Sequence, residues 1–201
     1  MERKLVLATR NGKKLQELKQ LLDGMGVEVL SLEQFPEVPE VEEDGETFAE
    51  NAIKKARTIA EVTGMVTLAD DSGLEVDALG GSPGVHSARF AGEHGDDAAN
   101  NAKLMDLMRG VPEEKRGARF RCVVAVAVPW GEVHLAEGTC EGKIAHEPRG
   151  DWGFGYDPLF VVEGYGRTMA ELPPEVKNRI SHRGRALERA RAILASLWEG
   201  E

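Results

Sequence analysis

The sequence predicts an α/β fold: a mixed, elongated central sheet with helices, in which two lobes flank a substrate cleft. Three observations carry this expectation. Short apolar runs alternate with segments of helical period through the N-terminal half. Two long β-rich segments, 118–128 and 133–140, meet across Pro129-Trp130-Gly131 and read as an antiparallel pair. No internal repeat, low-complexity tract or biased linker divides the 201 residues, so they read as one domain of two lobes, 1–201.

Taken in order, Leu5-Val6-Leu7-Ala8 is a short buried strand, and 14–22 sets Leu15, Leu18, Leu21 and Leu22 on one helical face. The polar turn Thr9-Arg10-Asn11-Gly12 joins them. Thr47-Phe48-Ala49-Glu50 has the form of a capping box, followed by the apolar face Ala52, Ile53, Ala56, Ile59 and Ala60, with Gly64 as its stop. A strand at 65–69 then ends in Asp70-Asp71-Ser72-Gly73, good turn chemistry. Gly80-Gly81-Ser82-Pro83-Gly84 opens an irregular loop, and a third helix spans 97–108. After the hairpin come a glycine-rich loop at 150–157, a short strand at 159–162 and a Pro-initiated helix at 173–180. Ser181 caps the last helix, whose Ala186, Leu187, Ala190, Ile193, Leu194 and Leu197 face the core.

Composition excludes several function classes. A net charge of −10 repels a polyanion, which argues against general nucleic-acid binding but leaves small anions open to local basic pockets. The longest apolar stretch, 122–128, is far short of the roughly 20 residues of a membrane span. Met1-Glu2-Arg3-Lys4-Leu5 enters a strand-like segment with no long apolar core, so a cytoplasmic location is expected. Cys122 and Cys140 would face each other in a symmetric hairpin, yet buried free thiols are the commoner outcome. The five histidines lack H-E-x-x-H or other metal-ligand spacing.

Four constellations could carry chemistry. The strand-turn-helix unit at 9–14 offers free N–H groups and two lysines, Lys13 and Lys14, to a phosphate; it is not a P-loop, and first-turn lysines are often merely solvated. Acidic residues crowd 40–46, while Asp70 and Asp71 stand at the end of the predicted strand, where carboxylates suit a hard cation bridging phosphates. A solvated loop and a plain turn are the simpler alternatives. Ser181-His182-Arg183, preceded by Lys177, gathers donors at a helix start and makes either an anion site or an ordinary capped helix. Gly153-Phe154-Gly155-Tyr156-Asp157 pairs permissive glycines with stacking faces, or forms a tight turn with aromatics entering the core. Asp157 there could accept a proton from a base edge or cap the turn.

Together, Ala8-Thr9-x-Asn11-x-x-Lys14, Ala69-Asp70-Asp71-Ser72-Gly73-Leu74, Ser82-Pro83-Gly84-Val85-His86-Ser87-Ala88-Arg89, Gly153-Phe154-Gly155-Tyr156-Asp157-Pro158 and Ser181-His182-Arg183 closely resemble the RdgB-like, inosine-triphosphate-pyrophosphatase family. Five separated motifs in the right order over nearly the whole chain are far more specific than any one of them. The resemblance implies a Mg²⁺-dependent homodimer that converts dITP, ITP and XTP to a monophosphate and pyrophosphate, cleansing the nucleotide pool. It assigns Thr9, Arg10, Asn11, Gly12, Lys13 and Lys14 to the triphosphate, and Glu42 and Asp71 to the metal, with Asp71 also activating the attacking water. It further implies Lys55 and Ser72 near the phosphates, and Phe154, Gly155, Tyr156, Asp157, Lys177, His182 and Arg183 around sugar and base. Arg10 stands where the family usually has glycine.

Selectivity would come from the base edge. A 6-oxo purine accepts a hydrogen bond where adenine donates one, so a donor such as His182 or Arg183 favours hypoxanthine and xanthine. Two rivals remain at this level: a pyrophosphatase of pyrimidine or other modified triphosphates, and a nucleotide-binding module without turnover. Turnover with Mg²⁺ across a nucleotide panel separates them.

Overall fold

The computed structural model describes residues 3–199; Met1 and Glu2, part of the N-terminal reading above, lie outside the described residues, as do Gly200 and Glu201. Six strands form one sheet in the order β2-β1-β3-β4-β5-β6. They are β1 (Lys4–Leu7), β2 (Glu28–Ser31), β3 (Thr67–Val76), β4 (Gly117–Ala127), β5 (Val133–Ile144) and β6 (Phe160–Val162). β1 runs parallel to both β2 and β3, whereas β5 and β6 are antiparallel, so the sheet is mixed as expected. The helices are α1 (Gly12–Leu21), α2 (Phe48–Thr63), α3 (Asp97–Leu107), α4 (Pro174–Ile180) and α5 (His182–Glu199). Among the described residues no helix is long and apolar enough to cross a membrane.

The chain forms two compact units. The first comprises Met1–Asp71, Cys122–Gly138 and Gly184–Glu201; the second Ser72–Arg121 and Thr139–Arg183. In the first, Leu5 and Leu7 of β1 pack with Leu18 and Leu22, Leu68 of β3, and Ala186, Leu187, Ala190 and Leu194 of α5. Burial on both faces is what a central parallel strand requires, hence the unbroken apolar run. In the second unit, Leu74, Leu104, Phe120, Cys140, Leu159 and Phe160 form the core. Cys122 and Cys140 are buried thiols and are not joined in a disulfide.

Local chemistry explains the element ends. Asn11 caps α1, its Oδ1 accepting from the N–H groups of Lys13 and Lys14 at 3.0 and 3.1 Å. Thr47 caps α2 through the Glu50 N–H, but Glu50 answers to the N–H of Glu46 rather than Thr47, so the box closes one residue early. Gly64 ends α2 with φ of 67°, a left-handed conformation that costs glycine nothing.

Three features depart from the sequence reading. β2 was not foreseen: its four residues carry one weak alternation and add to the sheet by pairing Leu5 with Val29 and Val6 with Leu30. Asp70-Asp71-Ser72-Gly73 is no turn; β3 continues through it to Val76, because tertiary partners for the two carboxylates outweigh the poor strand preference of these residues. β5 runs on to Ile144 rather than ending at Cys140, where β6 pairs with Gly142, Lys143 and Ile144.

One buried charge organises the second unit. Arg116, 3% exposed, donates to the carbonyls of Ile144, Met108, Val111 and Ala145 at 2.7 to 3.0 Å. Its guanidinium thereby ties the segment after α3, at Met108 and Val111, to the end of β5 at Ile144 and Ala145.

Candidate active site

The first unit gathers an acid-base cluster around the middle of β3. Lys14, in the first turn of α1, reaches Asp70 Oδ2 at 3.1 Å, and the Asp70 side chain is only 1% exposed. Lys55, on the inner face of α2, pairs with Glu43 from the acidic loop. Burial works against the Lys55 ammonium, but the neighbouring Asp70, Glu43 and Asp71 outweigh it and hold its pKa above the ordinary value. Lys55 is thus a firmly charged group among carboxylates.

Asp71 is the perturbed member. It is buried, and Asn51 Nδ2 donates to its Oδ2 at 3.0 Å. Burial, and then the negative charge of Glu43, push its pKa up to about 6, against the pull of Asn51, Lys55 and Lys14. A carboxyl poised near neutrality beside a second carboxylate and two ammonium groups makes this cluster the candidate active centre.

Glu42 is exposed, whereas Glu43 is half-buried and is the glutamate whose charge reaches Asp71. The resemblance singled out Glu42 from the acidic run; it is Glu43 that pairs with Lys55 and acts on Asp71. Asn51 was missed, although one signal was present: a polar residue beside Ala52 on the apolar face of a helix, where it is 1% exposed. Its Oδ1 accepts from the Gly45 N–H at 2.7 Å, so one amide ties the acidic loop to Asp71.

The remaining phosphate candidates lie at the start of α1. Thr9 Oγ1 accepts from the Asn11 N–H at 3.1 Å, so this turn is internally braced. Arg10 sends its guanidinium to the Val38 carbonyl at 3.0 Å, while Gly12 and Lys13 are exposed.

The donor set fits a hard cation. Among the described residues no three His, Cys, Asp or Glu side chains converge as a ready-made cage. Mg²⁺ needs none, because it commonly keeps one or two carboxylates and completes its octahedron with water and substrate phosphate oxygens.

The second unit assembles a separate cluster. Lys177 Nζ bonds Asp157 Oδ2 at 2.7 Å, both side chains being nearly inaccessible, and stands 4.6 Å from the centre of the Phe154 ring. The Arg183 guanidinium lies 5.6 Å from the same ring and donates to Ser72 Oγ at 3.0 Å. His182 stacks on Phe120 at 4.7 Å with 14° between planes. Asp157 also accepts from the Phe154 N–H at 3.0 Å, so it serves as turn brace and ion-pair partner at once. A Cβ at Gly153 would fall 2.1 Å from Asp157 Oδ2, and Gly153 has φ of 79°, so only glycine fits. Tyr156 is buried, its hydroxyl donating to the Ser87 carbonyl at 2.7 Å.

Residues 5–193 match the model of the Ham1 family. The chain belongs to that family. Among its relatives, the dITP/XTP pyrophosphatase of Desulforamulus reducens is 62% identical over 97% of both chains. That of Bacillus subtilis is 49% identical over 94% of this chain and 96% of its own. A HAM1 protein from Coxiella burnetii, 44% identical, superposes with a TM-score of 0.88 over 96% of this chain and 99% of that one. The resemblance drawn from the five motifs is borne out at the level of family and fold.

Proposed function

We propose that this chain, as a Ham1-family enzyme, hydrolyses dITP, ITP and XTP to the nucleoside monophosphate and pyrophosphate, with Mg²⁺, and so removes deaminated purines from the nucleotide pool. The observation that carries the proposal is Asp71: a buried carboxyl with pKa raised to about 6, set against Glu43 and within the field of Lys14 and Lys55. The dITP/XTP pyrophosphatases named above, similar over nearly their full length, support the substrate class.

In this reading Asp71 and the Glu42-Glu43 pair supply the metal carboxylates, with Glu43 the member that the geometry favours. Bound Mg²⁺ would neutralise charge on the phosphate oxygens. Thr9, Arg10, Asn11, Gly12, Lys13 and Lys14 receive the triphosphate at the α1 N-terminus. Lys55 keeps its charge beside the reacting phosphate, and Ser72 is held by Arg183. Asp71, once ionised, takes a proton from the water that attacks the α-phosphorus, and pyrophosphate leaves.

The second unit reads the nucleoside: Phe154, Gly155 and Tyr156 form its stacking loop, Asp157 and Lys177 brace that loop, and His182 and Arg183 face the 6-oxo group as donors. Adenine would leave such a donor unpaired. The enzyme acts in the cytoplasm as a homodimer, with no nucleic-acid or membrane partner. Purified protein incubated with ITP, XTP, GTP and ATP, with and without Mg²⁺, tests the reading. Monophosphate and pyrophosphate from ITP and XTP in preference to ATP are expected; metal-independent turnover, or ATP hydrolysed as fast as ITP, contradicts it, and light scattering after gel filtration checks the dimer.

A further inference from the structure

We propose that Asp97 and Asn101 of α3 are positioning residues that clamp both peptide groups of Gly155 and thereby aim the Phe154 ring at the nucleobase. The proposal rests on the reading of this loop as the base-stacking element. Asp97 is the first residue of α3 and Asn101 lies one turn later, so both project from one helix face. Asp97 Oδ2 accepts from the Gly155 N–H at 2.9 Å, and Asn101 Nδ2 donates to the Gly155 carbonyl at 2.9 Å.

The consequence falls on the preceding residue. The peptide that enters Phe154 is held through its N–H by Asp157 Oδ2 at 3.0 Å. The peptide that leaves it is held by Asp97, and the next one by Asn101. With the peptides on both sides tethered, the φ and ψ of Phe154 are fixed, and its ring stays beside Lys177 and Arg183. Gly155 contributes its left-handed φ of 61°, which lets the chain turn there without strain. Both α3 residues bond backbone atoms of Gly155, so their influence runs through the loop backbone.

Three variants separate acceptor, donor and charge. D97A and N101L should each raise KM for ITP about tenfold with kcat within about threefold, because a ring displaced by an ångström loses much of its orienting value. D97N keeps an oxygen that can accept from Gly155 and should hold KM within about threefold of wild type, since the hydrogen bond and not the charge is what counts. Hydrogen exchange at the Gly155 amide reads the clamp directly: about tenfold faster in D97A, near wild type in D97N. Wild-type KM in both D97A and N101L overturns the proposal, as does D97N matching D97A. Unchanged exchange in D97A also overturns it, and that readout holds even if the wild-type chain leaves ITP intact, a result that would remove the functional reading instead.

Discussion

Asn51 donates to Asp71 Oδ2 at 3.0 Å while accepting from the Gly45 N–H at 2.7 Å, so a single buried amide fixes both the candidate base and the loop that carries Glu43. The electrostatics follow from this arrangement. Asn51 and the two lysines favour the Asp71 carboxylate, burial and Glu43 oppose it, and the opposing side wins. Asp71 therefore gives up its proton less readily than an ordinary aspartate.

Replacing that acid isolates its role. D71N preserves shape and the contact with Asn51 after an amide rotation, but can neither take a proton nor offer charge to a metal. We expect kcat to fall by at least about a thousandfold with nucleotide affinity within about tenfold, the size of loss seen when a central electrostatic or proton-transfer group is removed. Steady-state kinetics with direct binding of ITP checks this; near-wild-type turnover removes Asp71 from the chemistry.

The raised pKa also makes a claim about stability. A folded-state pKa above the unfolded value of 3.8 favours the protonated form, so the contribution is complete below about pH 4 and is lost as pH rises through about 6. Without Mg²⁺, the chain should lose stability on the order of 3 kcal/mol across that window, from the shift of about two units. Mg²⁺ binding should release a proton from Asp71, so metal stabilisation should grow as pH passes 6. Melting curves between pH 4 and 8, with and without Mg²⁺, test both signs; D71N should flatten the metal-free slope.

The two glutamates of the acidic loop are separable. E43Q removes the charge that opposes Asp71 ionisation and frees Lys55, so the acid limb of the pH–rate profile should move down while Mg²⁺ affinity drops about tenfold or more. E42Q, at an exposed position, should change Mg²⁺ affinity by less than about threefold. The reverse ranking in a Mg²⁺ titration would return the metal role to Glu42.

His182 offers a test of base selection. H182A should narrow the ratio of kcat/KM between dITP and dATP by about tenfold or more, the cost of losing one donor to a buried polar edge. An unchanged ratio with a lowered Tm would mean that the ring serves only to pack on Phe120.

Much of this was legible in the chain, for reasons that differ from residue to residue. The cap at Thr47 and the stop at Gly64 are local, involving residues within four positions, and local chemistry can be read in order. The apolar face of α5 was equally plain, because its period repeats over five turns. β2 was not, since four residues at a sheet edge carry too little pattern to stand out. The course of β3 through Asp70 and Asp71 was hidden, because the partners that hold these aspartates in a strand come from α1 and α2, many positions away. For the same reason Asp97 and Asn101 were invisible, and the partners of Glu43 and Asn51 could not be read: each acts through a contact 12 to 58 residues distant. Arg116 is the extreme case, a charge in a polar-looking stretch that proves to be 3% exposed.

The most direct test of the central claim is hydrolysis of ITP in ¹⁸O-labelled water with Mg²⁺, followed by mass analysis of both products. If Asp71 delivers water to the α-phosphorus, one labelled oxygen appears in the inosine monophosphate and the pyrophosphate carries none. Label in the pyrophosphate, or inosine diphosphate with free phosphate as products, contradicts the account.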